Sequence, residues 1–347
     1  MAIIAPDIGI DLGTSNTLVY VRGKGVVVDE PSVLVLDRGG RHQVRAIGKD
    51  ALTLFGRTSG DLTAIRPLSE GMIRDFDLTE SMLQYFVRKA IGVSHLIKPR
   101  AVITVPCRIT PIERRAVRQA AFGAGVRQGH LHLVEKPFAA ALGCGLPVFE
   151  PVGSMVVDIG GGTTECAIIS LGGVVISKAI RIGGVKMDEA ITAYVKKEFN
   201  ILIGDRSSED VKLNLGSAFP SREYRECPVR GRDMVTNLPR NAVLGSDMIY
   251  EALQPPIQAI LSAIRFVLER TPPELAGDVM KGGIHLTGGG ANLLGLDQYI
   301  ASELGIPVLL AKDASACAIQ GIGQLTDNIE LLHRIGRSSF LREDEEE

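Results

Sequence analysis

One strand-to-turn pattern occurs twice in this 347-residue chain. Residues 11–17 read DLGTSNT and residues 158–165 read DIGGGTTE, and each stretch follows a short apolar run. Both place an acid, an apolar residue and a glycine ahead of small hydroxyl residues. Glycine turns let backbone N–H groups approach a phosphate closely, and hydroxyls can donate to it as well. A chain that builds this corner twice is expected to fold into two similar α/β halves with a cleft between them.

The surrounding secondary-structure pattern also repeats. Residues 6–37 read as consecutive hairpin strands, and the strands in GSMVVDIGGG, TTECAIISLGG and VVISKAIRIGG restart the same order. A third glycine turn, TGGGA, follows an apolar strand at residues 287–291. A long helix is predicted in the second half, and Pro255 and Pro256 should kink or break it.

Composition limits the class of protein. The chain is 45% hydrophobic and 22% charged, which is typical of a globular protein, and its net charge of −2 argues against nonspecific nucleic-acid binding. Five scattered cysteines without CxxC spacing indicate thiols in a reducing cytoplasm. The sequence shows neither a signal peptide nor a run of the roughly 18–20 apolar residues that a spanning helix needs. Attachment to a membrane surface stays open.

Two corners that face each other across a cleft can bind the phosphates of a nucleotide from opposite sides. Asp11 and Asp158 would then face a divalent ion or its water shell, because Mg²⁺ keeps several waters and takes few protein carboxylates. Either corner alone is equally explained by an ordinary glycine turn. The two copies, together with the third glycine turn, favour a nucleotide site that holds Mg²⁺.

The three glycine turns carry a resemblance to a known superfamily. IGIDLGTSNT, MVVDIGGGTTE and GIHLTGGGANL resemble the two phosphate loops and the adenosine loop of the actin, sugar-kinase and heat-shock-chaperone ATPases. VVVDEPSVLVLD, AIRPLSEGMIRDFD, PRAVITVPCRITPIERRAVRQAA and IRIGGVKMDEAI more closely resemble MreB, a family of bacterial actins. The resemblance runs from about residue 8 to residue 330.

This resemblance implies an α/β, duplicated actin-like (ribonuclease H-like) fold with two similar halves around a nucleotide cleft. The implied divisions are a first half of residues 1–145 plus 312–334, a second half of residues 146–311 with a small insert at about 184–245, and an acidic tail at 335–347.

The resemblance also assigns ATP-binding residues. The phosphates would contact Thr14, Ser15, Asn16, Gly160, Gly161, Gly162 and Thr163. The sugar and adenine would lie over Gly288, Gly289, Gly290 and Ala291, and beside a helix segment formed by Glu209, Asp210, Val211 and Lys212. From spacing alone, Glu209 and Lys212 could equally form a solvated salt bridge on one helix face.

One position departs from the family. The family has two acids before a proline, and the second acid positions the attacking water, whereas here the sequence is Glu135-Lys136-Pro137. Lysine is cationic at neutral pH and cannot orient a water as a carboxylate does, but it could lie against the γ-phosphate. Glu135 should point to the opposite face of its strand. Glu135, Lys136 and Thr163 are therefore the catalytic candidates, with ATP binding predicted and hydrolysis left open.

Membrane contact is a further family property. MreB proteins bind the inner membrane through an N-terminal amphipathic helix, a hydrophobic loop, or both. Leu96 and Ile97 occupy the position of that loop, and the flanking Lys98 and Arg100 would meet anionic headgroups. The alternative is an ordinary loop that turns Leu96 inward.

The sequence thus predicts an MreB-like protein that is cytoplasmic and membrane-associated. Its expected partners are other copies of itself in a filament, the inner membrane surface and the cell-wall elongation machinery, with no nucleic acid. One alternative is a hydrolysis-deficient paralogue that modulates another MreB filament. Another is a chaperone or kinase-type ATPase, although a chaperone should carry a substrate-binding domain and a sugar kinase a catalytic acid in the cleft.

Overall fold

The computed structural model describes residues 5–37, 43–54, 62–92, 97–220, 223–335 and 340–341, without the side chains of residues 329, 340 and 341. Strands and helices alternate along this part of the chain, so the predicted α/β class is confirmed. Two large sheets, one in each half, organise the molecule.

The first half holds the following elements. Its strands are β1 (Ile8–Leu12), β2 (Asn16–Val21), β3 (Gly25–Pro31), β4 (Leu34–Asp37), β5 (Val44–Ile47), β6 (Leu62–Ile65), β7 (Leu68–Ser69), β8 (Met72–Ile73), β9 (Ala101–Val105) and β10 (Leu131–Glu135). Its helices are α1 (Lys49–Leu54), α2 (Phe76–Ile91), α3 (Pro111–Gly123) and α4 (Lys136–Gly143). Local signals explain the start of α3, where Thr110 and Glu113 form a reciprocal capping box around Pro111.

The rest of the chain holds a matching set. Its strands are β11 (Ser154–Ile159), β12 (Thr164–Ser170), β13 (Gly173–Ile180), β14 (Ile201–Leu202), β15 (Glu226–Asp233), β16 (Pro239–Gly245), β17 (Ile284–Thr287), β18 (Val308–Leu310) and β19 (Phe340–Leu341). Its helices are α5 (Gly184–Phe199), α6 (Asp205–Leu215), α7 (Ser246–Leu268), α8 (Pro273–Gly282), α9 (Leu296–Leu304) and α10 (Cys317–Asp327).

The two large sheets have the same topology. The first has the order β19-β10-β9-β1-β2-β3 and the second the order β13-β12-β11-β17-β18. In each sheet, the first three strands of the half form an antiparallel meander. Two later strands, β9 and β10 in the first sheet and β17 and β18 in the second, pair in parallel beside the meander's first strand. The duplication predicted from the two corners is therefore present in the strand order itself.

Three hydrophobic clusters hold these layers together. One packs α2 and α3 on the first sheet, and a second packs α5 and α7 on the second sheet. The third lies between the halves, where α4 and α10 meet buried residues of both sheets, such as Val102 and Val156. At the contact of these two helices, a methyl group at Gly143 would overlap the carbonyl oxygen of Cys317, and one at Gly321 would overlap that of Ala139. Only glycine permits this approach.

The structure differs from the sequence-based expectations in two places. Helix α7 runs without interruption through Pro255 and Pro256, so the predicted break is absent. The expected tail at 335–347 begins with the buried Ile335, and β19 pairs with β10 at the edge of the first sheet. Residues 342–347, with the sequence REDEEE, lie outside the described part of the chain.

Candidate functional site

A cleft of about 1240 Å³ lies between the two halves. Most of the residues predicted for the nucleotide site line it: Asp11, Thr14, Ser15, Asn16, Lys136, Asp158, Gly160, Gly161, Gly162, Thr163, Glu209, Asp210, Lys212, Gly288, Gly289 and Gly290. The predicted site residues thus come together although they are distributed over most of the sequence.

Equivalent hydrogen bonds fix the two aspartates at the floor of the cleft. Asp11 near the end of β1 accepts a hydrogen bond from the Thr104 hydroxyl on the parallel strand β9, at 2.6 Å. Asp158 on β11 accepts one from the Thr287 hydroxyl on the parallel strand β17, at 3.0 Å. Each carboxylate is therefore held by a neighbouring strand while its second oxygen stays available for another contact.

The two phosphate corners approach each other closely. A methyl group at Gly161 would overlap the side chain of Ser15, and one at Gly162 would overlap the side chain of Thr14. The Thr14 hydroxyl also accepts a hydrogen bond from the backbone N–H of Gly71, at 3.1 Å. The glycines of the second corner are thus required by contact with the first corner, as well as by any phosphate they would bind.

Lys136 lies between the two aspartates. Its Nζ is 3.6 Å from Oδ2 of Asp11 and 3.6 Å from Oδ2 of Asp158, and its side chain is 18% exposed. Burial disfavours the charged ammonium, but the two carboxylates outweigh this effect and raise the pKa of Lys136 above its ordinary value. The side chain is therefore a fixed cation on the midline between the corners.

Two buried glutamates lie behind this cation. Glu165 on β12 lines the cleft, and its Oε2 accepts a hydrogen bond from the backbone N–H of Cys107 at 2.7 Å. Glu135 is directed away from the cleft lining and accepts a 3.4 Å hydrogen bond from the backbone N–H of Arg108. Burial raises the pKa of Glu165 to about 7 and that of Glu135 to about 7. In each case the backbone hydrogen bond acts in the opposite direction and limits this rise in pKa. Among the described residues, Oε1 of Glu165 and Oε2 of Glu135 have no hydrogen-bond partner.

The helix expected beside the nucleoside lines the cleft with Glu209, Asp210 and Lys212. Lys212 on α6 pairs with Asp188 on α5 at 2.8 Å and donates to the carbonyl of Gly184 at 3.1 Å, so its ion pair is not the i, i+3 pair with Glu209. The side chain of Val211 is buried in the core of the second half because it lies on the opposite face of α6, so its place beside the nucleoside stays a prediction for its backbone.

The adenosine turn packs on the second phosphate corner. Gly288 has φ +82° and its backbone N–H donates to the carbonyl of Ala314 at 2.6 Å. A methyl group there would overlap the carbonyl of Ile159, which immediately follows Asp158. The side chain of Ala291 is buried in the core while Gly288, Gly289 and Gly290 line the cleft, so the expected contact of Ala291 with the nucleoside stays a prediction.

The predicted membrane loop is only partly described. Leu96 lies outside the described residues, while Ile97 is half-buried and its carbonyl accepts a 3.0 Å hydrogen bond from the backbone N–H of Ala5. A second cavity of about 400 Å³ adjoins it. Its charged and titratable lining residues are Asp7, Arg22, Lys98, Arg100, Arg127 and His130. Four cationic side chains face one carboxylate, so this surface is basic.

Glu165 and Asp188 are among the cleft residues that were missed in the sequence. Glu165 is the last residue of DIGGGTTE, and Asp188 lies in IRIGGVKMDEAI, so both belonged to segments that already indicated function. Alternation along β12 could have identified Glu165, because it is paired directly with Asp158 across the hairpin. No helix in the described part of the chain is long and apolar enough to cross a membrane.

Comparison with known proteins agrees with this geometry. The sequence profile described as "MreB/Mbl protein" matches residues 5–334. Cell shape-determining protein MreB of Escherichia coli (strain K12) is 49% identical over 329 residues, which cover 94% of each chain. Cell shape-determining protein Mbl of Bacillus subtilis (strain 168) is 46% identical over 328 residues, 94% of this chain and 98% of that one.

Solved structures show the same fold. A crystal structure of MreB 5 of Spiroplasma citri bound to AMPPNP superposes with a TM-score of 0.88 at 35% identity, covering 94% of this chain and 97% of that one. A MamK double helical filament gives a TM-score of 0.78 at 22% identity over 92% and 98% of the two chains, a likeness of fold alone. The predicted duplicated actin-like fold is thereby confirmed. On the profile match and the identity to curated relatives, the chain belongs to the MreB/Mbl family.

Proposed function

We propose that this protein is a cell-shape-determining actin homologue that binds ATP in the cleft and polymerises into filaments. The observation that carries the proposal is the pair of facing corners, where Thr14 and Ser15 of one half touch Gly162 and Gly161 of the other. A triphosphate bound there would contact both halves at once. Its binding would therefore favour one relative placement of the halves, which is what a nucleotide-dependent polymer requires.

Two structures of one relative support the choice of nucleotide. The Spiroplasma citri MreB 5 structures are described as bound to AMPPNP and to ADP, and they share 35% and 36% of their residues with this chain. The cleft offers hydroxyls and glycine N–H groups for phosphates in both corners. The adenosine turn at Gly288, together with the helix face of Glu209 and Lys212, would hold the nucleoside.

Magnesium was expected with the nucleotide, on Asp11 and Asp158. The residues present do not fit that expectation, because the ammonium of Lys136 lies between the two carboxylates. The described residues contain no group of three or more His, Cys, Asp or Glu side chains that could hold a metal ion. The proposed function therefore relies on the phosphate corners and on Lys136, with no step through a metal.

The residues of the cleft are less suited to hydrolysing ATP than to binding it. Lys136 occupies the position of the water-positioning acid, and Glu135 is directed away from the cleft. Glu165 is another carboxyl of the cleft, and it accepts a hydrogen bond from the backbone N–H of Cys107. This arrangement favours a second candidate function, in which a chain that holds ATP with slow turnover stabilises or modulates filaments of another MreB.

Attachment to the inner membrane is the proposed site of action, at its cytoplasmic face and beside the cell-wall elongation machinery. The basic cavity lined by Arg22, Lys98, Arg100 and Arg127 supports this placement, since it adjoins Ile97. Cationic groups beside an apolar loop suit a surface of anionic lipids, to which each basic residue contributes about 1 kcal/mol.

Polymerisation with and without lipid is the direct test. Purified protein at several micromolar is sedimented with ATP, with ADP and without nucleotide, and pellets are imaged by electron microscopy on anionic liposomes. We expect ATP-dependent filaments that lie on the liposomes. Protein that stays in the supernatant in every condition would contradict the polymer, and if it still bound ATP it would support the modulator instead.

The membrane contact has its own test. Leu96→Ser with Ile97→Ser removes the apolar tip, and Lys98→Glu with Arg127→Glu reverses two charges of the basic cavity. Lys281→Glu on the exposed end of α8 is the control. Both double variants should reduce co-sedimentation with anionic liposomes, and the charge variant should show weaker dependence on salt. Equal lipid binding by all variants would place the contact elsewhere on the protein.

A further inference from the structure

We propose that Lys136 supplies, from within the protein, the positive charge that a divalent ion would bring to the nucleotide site, so that this chain binds ATP without a metal. The inference rests on the proposed function, because it concerns the same cleft. It goes further by assigning the counter-charge of the triphosphate to a single side chain.

The ammonium of Lys136 lies between the two halves of the protein. Its Nζ lies 3.6 Å from a carboxylate oxygen of each half, on the midline of the cleft, where a bridging cation and its water shell would lie. It is also near the second phosphate corner, since a Cβ atom at Gly160 would be 3.9 Å from it. A cation placed there faces the phosphates that the corners would bind.

The ammonium of Lys136 offers N–H donors to a phosphate. A lysine ammonium has three N–H groups and is a common phosphate ligand. The 3.6 Å separations are longer than the 2.7–3.2 Å of an N–H···O hydrogen bond, so the aspartates hold the ammonium by charge without closing its hydrogen bonds. Consistent with this, Oδ2 of Asp158 is buried without a hydrogen-bond partner among the described residues. The N–H groups of Lys136 are thus available to phosphate oxygens.

The charges of Asp11, Asp158 and Lys136 disfavour an added metal ion at this position. Asp11, Asp158 and Lys136 sum to one negative charge, whereas the two aspartates alone would sum to two. A divalent ion that entered between the aspartates would meet the ammonium at close range, and like charges repel strongly in a partly buried site. The structure therefore makes the protein's own cation and an added metal competitors for one position.

Calorimetric titration with ATP tests this directly. Wild-type protein, Lys136→Gln and the control Lys281→Gln are each titrated in excess EDTA and again in millimolar MgCl₂. For wild type and the control, the Kd in EDTA should lie within about threefold of the Kd in Mg²⁺. For Lys136→Gln, the Kd in EDTA should be weaker by about 30-fold or more, and Mg²⁺ should restore most of the loss.

A second variant distinguishes the loss of the positive charge from a folding defect. Lys136→Arg keeps the positive charge and should keep binding that does not depend on metal, and melting temperatures in EDTA are recorded for every variant. Wild-type binding that disappears in EDTA would overturn the inference and leave the proposed function intact. Wild type that binds ATP in neither buffer would instead overturn the proposed function. Lys136→Gln that binds as wild type in EDTA would show that the counter-charge lies elsewhere.

Discussion

Thr104 and Thr287 occupy equivalent places in the two halves, and each donates its hydroxyl to the aspartate at the head of its own phosphate corner. The parallel registers bring this about, because β9 lies beside β1 and β17 lies beside β11. Both threonines are buried, so water cannot replace the bond if it is lost. The duplication seen in the strand order thus extends to single hydrogen bonds.

This equivalence predicts similar effects of equal changes, with the larger effect at Thr104, whose hydroxyl also accepts a 3.3 Å hydrogen bond from the backbone N–H of Leu12. Thr104→Val and Thr287→Val keep the side-chain shape and remove the donor, which leaves Asp11 or Asp158 without that partner. Each should lower the free energy of unfolding by about 1.5–3 kcal/mol, the range for hydrogen bonds to charged groups. Urea denaturation measures both, with Thr53→Val on the exposed surface of α1 as the control. A large effect in one half alone would mean that the two corners do not share this support.

Lys136 sets the expected rate of ATP turnover. A positioned acid or base typically contributes about 10²–10⁴-fold to a rate, so wild-type phosphate release should be slow. Lys136→Glu restores the family's acid and should raise turnover at least about tenfold in Mg²⁺, while binding in EDTA weakens. Lys136→Gln is the matched control, because it removes the cation without adding an acid and should not accelerate release. Wild-type turnover already equal to that of Lys136→Glu would show that another carboxyl, such as Glu165, does the work.

The buried glutamates give stability a pH dependence. Because the pKa of both Glu135 and Glu165 is raised from 4.5 to about 7, the folded state keeps protons that the unfolded state releases between these values. Their stabilising contribution is complete below pH 4.5 and is lost as pH rises through 7. Glu165→Gln should therefore melt about 2–4 °C above wild type at pH 8 and show no such gain at pH 5. The exposed Glu269→Gln is the control, and a gain that is the same at both pH values would contradict the assignment.

The contact of α4 with α10 predicts an intolerance to small side chains. Gly321→Ala would drive a methyl group into the Ala139 carbonyl, and backbone displacement of this kind costs about 1–3 kcal/mol. Gly277→Ala lies in α8 with open space around it and should instead stabilise by about 0.4–1 kcal/mol. Chemical denaturation of the two variants compares them directly. A Gly321→Ala protein as stable as wild type would mean that the two helices can separate freely.

Much of the fold followed from the sequence, since the repeated corner and the alternating strands fix both the class and the duplication. Apolar runs such as SMVVDI and AVITV are buried on both faces, as continuous apolar strands usually are. The glycines of the candidate site were identifiable because they recur in glycine turns that follow apolar strands. These are local properties, and local sequence carries them.

What the sequence could not show depends on contacts between distant segments. The partner of Lys212 is Asp188 on another helix, and the pairing of β19 with β10 joins residues 340–341 to residues 133–134, far apart in the sequence. Pro255 and Pro256 stay within α7 because tertiary packing of its apolar face, with Ile257 and Ile260 buried in the core, outweighs the loss of backbone hydrogen bonds. The sequence did reveal that Lys136 is unusual, but only the structure places its ammonium between the two aspartates.

Helix α4 is eight residues long, so its two ends lie about 12 Å apart. Lys136 stands at one end, among the phosphate corners, and Gly143 stands at the other, against α10. A helix this short is stiff, so a displacement of the backbone at Lys136 also displaces the glycine contact between the halves. Conversely, any rotation of the halves that moves Gly143 also moves Lys136 and changes the distance from its ammonium to a bound phosphate. Mechanical load along a filament and the charge state of its nucleotide would then both act on helix α4.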